Sequence, residues 1–183
     1  MKEHLFKFIG KKNLKRISAF YEKGISMSRG PFKEATLYFV PIEEYGKINF
    51  PEMLKKGDWI LTQENPKLRE FKEGVSVYWY SSVSKDEKNT IIPTELSTIY
   101  HRVYELETAK ETRIIAFDCL EKMVLYNSLA HTAKLFESIY GVIQDKNITG
   151  IINADKRVFS TTEYHTLIRV ANLEEYVQEA QLS

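Results

Sequence analysis

The sequence predicts an α/β domain with a mainly parallel five-stranded sheet flanked by helices, preceded by a basic N-terminal extension. Short runs of aromatic and β-branched residues recur from Lys33 onward, each followed by a longer segment with apolar residues at helical spacing. Positive charge gathers ahead of the first run. The boundaries expected from these patterns are an extension over residues 1–35 and an α/β domain over 36–183. With 183 residues, 43% hydrophobic and 28% charged, the chain can bury one full core and sits away from the disordered class.

The first strand is "TLYFV", Thr36 to Val40, ended by Pro41. Gly46 and Pro51 allow only broken or short helix before Gly57 stops it and "DWILT" opens a second strand at Asp58. "ENPKLREFKEG" reads as a short helix opened near Pro66 and closed at Gly74, leading into a third strand, "VSVYWY", Val75 to Tyr80. That strand is apolar on both faces, so it expects cover on both sides, and an oligomer interface at Val75, Val77, Tyr78, Trp79 and Tyr80 is one source of cover.

"SSVSKDEKNT" is polar and loop-like, and Thr94 stands where an N-cap belongs, ahead of Leu96, Ile99, Tyr100, Val103 and Leu106 at helical spacing. "RIIAFD", Arg113 to Asp118, is a buried strand ending in a carboxylate, and "LEKMVLYNS" links it to a long helix from about Ser128. "ITGIINAD" is the fifth strand. Ser160, three residues before Glu163, supplies a capping box for the last helix.

The net charge of +1 conceals a segregation. Residues 1–35 hold nine Lys or Arg against three Glu, a balance of +6, which leaves −5 on the remainder. A basic arm on a mildly acidic body points to a polyanionic partner. No apolar run approaches a membrane span and no secretory leader opens the chain, so the expected location is the cytoplasm. The single Cys119 fits a reducing compartment.

The segments "NTIIPTEL" (Asn89 to Leu96), "RIIAFDCLEKMVLYN" (Arg113 to Asn127) and "GIINADKRVFSTTEYHTLIRVANLEEY" (Gly150 to Tyr176) resemble an archaeal family known only as domain of unknown function eight hundred and thirty-five. The likeness runs from about Thr36 to Glu175. It implies a fold similar to RecA and KaiC-like ATPases, with suspected regulatory or signalling roles and no established reaction. The chain departs from that pattern in its basic extension and in Cys119, where a small residue is expected after the strand-end Asp.

A RecA-type ATPase needs a glycine-rich loop after its first strand to cradle phosphates. Here "PIEEYG" offers one Gly, no Gly-Lys-Ser/Thr, and the carboxylates Glu43 and Glu44, which repel phosphate. Asp118 with Glu121 is imaginable as a lone metal site, but a strand-end Asp capping its own following turn is the better expectation. His4, His101, His131 and His165 have no helical metal-site spacing, and His101 and His131 are expected in structural roles beside the core. Cys119 lacks a neighbouring His and Ser81, Ser82 and Ser84 lack a glycine-flanked elbow, so no catalytic constellation is expected, nor any cofactor or metal.

The basic segment interleaves Lys7, Lys11, Lys12, Lys15, Arg16, Lys23, Arg29 and Lys33 with Phe6 and Phe8, a pattern suited to neutralising phosphates and stacking on unpaired bases. Equally, Phe8, Ile9, Leu14, Ile17, Phe20 and Tyr21 suit a helix packed on the body with its lysines merely solvated. The expectation is a non-enzymatic regulatory factor, homodimeric, docking on structured RNA such as a ribosomal subunit. A signalling or scaffold domain that binds proteins is the first alternative, and an unorthodox nucleotide sensor the second.

Overall fold

A computed structural model describes residues 32–83, 89–106 and 113–177. The chain divides into two units, Met1–Pro31 and Phe32–Ser183, and all described residues belong to the second. Of the residues expected to touch nucleic acid, only Lys33 is described; Phe6, Lys7, Phe8, Lys11, Lys12, Lys15, Arg16, Lys23 and Arg29 lie outside the described residues.

Among the described residues the sheet has seven strands, where five were expected. They are β1 (Thr36–Pro41), β2 (Trp59–Thr62), β3 (Ser76–Tyr80), β4 (Thr90–Ile91), β5 (Ile114–Asp118), β6 (Thr149–Ala154) and β7 (Glu174–Glu175). Their order is β4-β3-β2-β5-β6-β1-β7, with every pairing parallel. The extra strands, β4 and β7, are two residues each, β4 beside Trp79 and Tyr80, with Ile91 buried in the larger core, and β7 beside Tyr38 and Phe39. Two residues carry no readable period.

Right-handed crossovers decide which face each connection covers. From β1 toward β4 the chain steps in one direction, through α1 (Ile42–Tyr45) and α2 (Phe50–Met53). These pack Phe50, with Leu54, against Tyr38, Val40, Ile60, Ala116 and Ile151 on one face. From β4 onward it steps the other way, through α3 (Leu96–Tyr104), α4 (Leu120–Lys146) and α5 (Thr161–Val170). These build the larger core on the opposite face, where Ile99, Phe136, Ile139 and Leu167 meet Leu37, Phe39, Leu61 and Phe117.

Three helical expectations change. The helix expected between Pro66 and Gly74 is a single 3₁₀ turn, Pro66–Leu68, in which Asn65 accepts from Lys67 N. Its sequence has little to bury, and Leu68 is left 82% exposed. Thr94 does not cap α3: Glu95 N bonds back to Ile92 O, so the helix starts at Leu96 with Glu95 as an N-cap lacking a side-chain bond.

The segment Leu120–Asn127, expected as a link, is helical and belongs to α4, which is interrupted only at Ser128, with φ 68° and ψ 157°. Side chains repair the broken ladder there. Asn127 Nδ2 donates to Met123 O at 3.1 Å, and Thr132 Oγ1 donates to Ser128 O at 2.9 Å. His131 Nδ1 lies 3.0 Å from Asn127 O. A carbonyl only accepts, so that ring nitrogen carries the proton and does not draw one from Ser128 Oγ, 3.2 Å away. The Ser128–His131 pair is therefore a helix cap, not an activated nucleophile. The box expected at α5 is present, with Ser160 and Glu163 capping each other's backbone N–H.

Candidate functional site

In an open parallel sheet, ligands settle where connections from adjacent strands leave toward opposite faces. Among the described helical connections, the strand order gives two such positions at the strand carboxyl ends, one between β1 and β6 and one between β2 and β5. Both are occupied by the protein's own carboxylates.

At the first crevice, β1 runs straight into α1, whose first turn holds Glu43 and Glu44. Glu43 Oε2 accepts from Lys156 N at 3.3 Å, and Glu121 Oε1, from α4, accepts from Asp155 N at 2.8 Å. Glu44 pairs with Lys156 Nζ, which raises the lysine's pKa. Consecutive backbone N–H groups at a strand end form the kind of nest that holds an oxyanion, and here carboxylates fill it. Buried Asn153 then pins the loop: its Oδ1 accepts from Ile48 N at 2.8 Å while its Nδ2 donates to Val40 O at 2.9 Å and to Gly46 O at 3.3 Å.

At the second crevice Asp118, 2% exposed, accepts from Thr62 Oγ1 at 3.1 Å and from Gln63 N at 3.2 Å. Burial pushes its carboxyl pKa up, and the Thr62 bond, the charge of Lys47 and the Gln63 bond pull it back. Above it, Glu64 pairs with Lys47 and, at 2.7 Å, with Arg69 Nε, and the Lys47 bond holds the Glu64 pKa low.

Asp118 therefore caps the chain across the sheet on β2, not its own following turn as the sequence suggests. Glu121 turns away from it to Asp155, so the two do not form a joint metal site. Among the described residues no group of three or more His, Cys, Asp or Glu is placed to hold a metal ion. Cys119 is fully buried at the start of α4, and burial pushes its thiol pKa well up. His101 and His131 are exposed on α3 and α4, and His131 has the expected hydrogen-bonded structural role, in the cap at Ser128.

Lys33 is exposed at the start of the body, where its N–H donates to Tyr38 Oη. Of the strand expected to offer an interface, Tyr80 is 0% exposed and bonds Pro93 O at 2.8 Å, so it serves the domain's own core. Tyr78 packs on the larger core, Val75 and Val77 on the smaller one, and Trp79 Nε1 reaches Gln63 O at 3.4 Å. Sequence reasoning missed Asn153, Lys47, Glu64 and Arg69. For Asn153 the signal was there: a single amide inside the otherwise apolar run "GIINA".

The class so defined is a three-layer α/β protein whose strand-end crevices are filled from within. A family model described as Protein of unknown function (DUF835) matches residues 43–170, which include Glu43, Asp118, Glu121 and Asn153. The chain belongs to that family. No curated protein matches it.

Proposed function

We propose that the chain is a non-enzymatic regulatory binding factor of the cytoplasm, a RecA-like body that carries a basic segment onto structured RNA such as a ribosomal subunit. One observation carries the non-enzymatic part. The backbone N–H groups of Gln63, Asp155 and Lys156, which a phosphate ligand would need, already bond to Asp118, Glu121 and Glu43. The RecA-like reading is supported by β1 and β5 flanking β6. In that order a phosphate loop after β1 and a magnesium carboxylate on β5 would stand about 10 Å apart, the reach of a nucleotide's phosphates.

The RNA reading rests on the +6 balance of residues 1–35 against −5 elsewhere. Phosphate contacts by such a segment release counterions, and a homodimer would double them. Co-sedimentation with ribosomal subunits at low salt should fall steeply as salt rises. It should be lost in the variant Lys11→Glu/Lys12→Glu/Lys15→Glu/Arg16→Glu. Undiminished co-sedimentation of that variant refutes the reading, and light scattering of the free protein tests the dimer.

A protein-interaction role is the second reading, favoured by Leu125 and Tyr126, which α4 leaves 78% and 46% exposed. Capture of a protein partner that is lost in Leu125→Asp, with ribosome binding unchanged, would move the function there.

A further inference from the structure

We infer that Lys47 and Arg69 form a binding site for a small phosphate-bearing ligand, held closed by Glu64. The site goes beyond the RNA reading, since none of its residues belongs to the basic segment. Three separate pieces of chain converge on it at the carboxyl side of the sheet. Lys47 comes from the loop after α1, Glu64 from the turn after β2, and Arg69 from the residue that ends the 3₁₀ turn.

Glu64 takes one cation on each oxygen: Lys47 on Oε1 and Arg69 Nε, at 2.7 Å, on Oε2. That is how one edge of a phosphate would be held. The carboxylate does not exhaust its hosts. Arg69 Nη1 is shielded from solvent and makes no hydrogen bond among the described residues. A phosphate in place of Glu64 meets the Nε edge of the guanidinium, on the far side from Nη1, so Arg69 offers it that edge and a full positive charge.

The two carboxylates of this crevice differ in how firmly they sit. Asp118 is 2% exposed and bonded to Thr62 and Gln63, so it stays. The Glu64 side chain is 37% exposed, and exposed ion pairs are weak and salt-sensitive, so a competing anion can displace it. Asp118 feels the charges of both Lys47 and Glu64. A phosphate arriving as Glu64 swings out replaces a negative charge at this position instead of simply adding one. That limits the new repulsion from Asp118.

Isothermal titration calorimetry of the full chain with inorganic pyrophosphate at low ionic strength tests the site. Glu64→Gln should tighten binding about tenfold by removing the competitor, with Glu64→Ala as a second variant. Adding Lys47→Gln and Arg69→Gln to either should return binding to the level set by the basic segment alone. Circular dichroism melts confirm that each variant is folded. ADP titrated in place of pyrophosphate gives the source: tighter binding with the same dependence on Lys47 and Arg69 marks a nucleotide, and equal binding marks a free phosphate compound. The inference is overturned if neither Glu64 variant binds pyrophosphate more tightly than the parent, or if the gain survives loss of Lys47 and Arg69.

Discussion

Asn153→Ala should cost about 3 kcal/mol of stability, because Asn153, 1% exposed, makes three hydrogen bonds, to Ile48 N and Gly46 O in the loop after β1 and to Val40 O in β1 itself. Removing the amide leaves Ile48 N–H, Val40 O and Gly46 O without it, and about 1 kcal/mol for each bond gives the total. Unfolding the unit Phe32–Ser183 carries an entropy of about 0.3 kcal/mol per kelvin, so the melting temperature should drop by about 9 °C. Urea unfolding followed by circular dichroism gives the free energy, and amide exchange at Ile48 reports whether the loop itself has loosened. Asn153→Asp should lose at least as much, since a carboxylate oxygen would then face two carbonyls. A loss under about 1 kcal/mol for Asn153→Ala, with Ile48 still protected, would refute the reasoning. It would mean that burial of Phe50 and Leu54 alone fixes this loop.

Ser128→Gly should gain about 1 kcal/mol in a urea melt, because φ 68° with ψ 157° is a region that glycine enters freely and serine does not. A loss would show that the Ser128 cap outweighs the strain. Gly150→Ala should cost about 1–3 kcal/mol, since the added Cβ falls on the terminal methyls of Leu37 and Ile143 in the packed core; an unchanged melt would mean both side chains step aside. Asp118→Asn should flatten the pH dependence of stability. The Asp118 pKa is raised in the folded state, so its contribution is greatest below the ordinary value of 3.8 and declines as pH rises through the folded value. The variant lacks that decline and should gain on the parent as pH rises from the ordinary value of 3.8 through the folded value, and parallel curves of urea midpoint against pH would contradict the burial argument.

The five longer strands were legible because each is an apolar run bounded by a turn residue, as "TLYFV" is by Pro41 and "RIIAFD" by its final carboxylate. Two-residue β4 and β7 were not, since two residues show no alternation to read, although Ile91 of β4 is buried in the core. The first part of α4 hid for another reason. Leu120 and Met123 turn inward while Leu125 and Tyr126 are left outside, so the segment shows no polar face to set its period. At the site, the sequence exposed the phosphate-repelling Glu43 and Glu44 but not their partner Lys156, more than a hundred residues away. Asp118 was read as capping its own turn because its true partners lie on β2, reached only through sheet order.

The carboxylates at the strand ends also bear on how such a body can be regulated. A crevice that waits for a phosphate has unpaired N–H groups and a loop that orders on binding, so ligand and fold are linked. Here Glu43, Glu121 and Asp118 supply that partner from within, and Asn153 holds the loop after β1 at Ile48 N and Gly46 O. On the proposed reading these internal bonds stand in for a ligand's, and stability should follow pH and salt more than nucleotide. Among the described residues the half-buried Glu64 differs from the other strand-end carboxylates in bridging two cations from separate pieces of chain, Lys47 and Arg69. On the proposed reading, small-molecule control would enter at that one point, while affinity for RNA would be set by the basic segment ahead of the body.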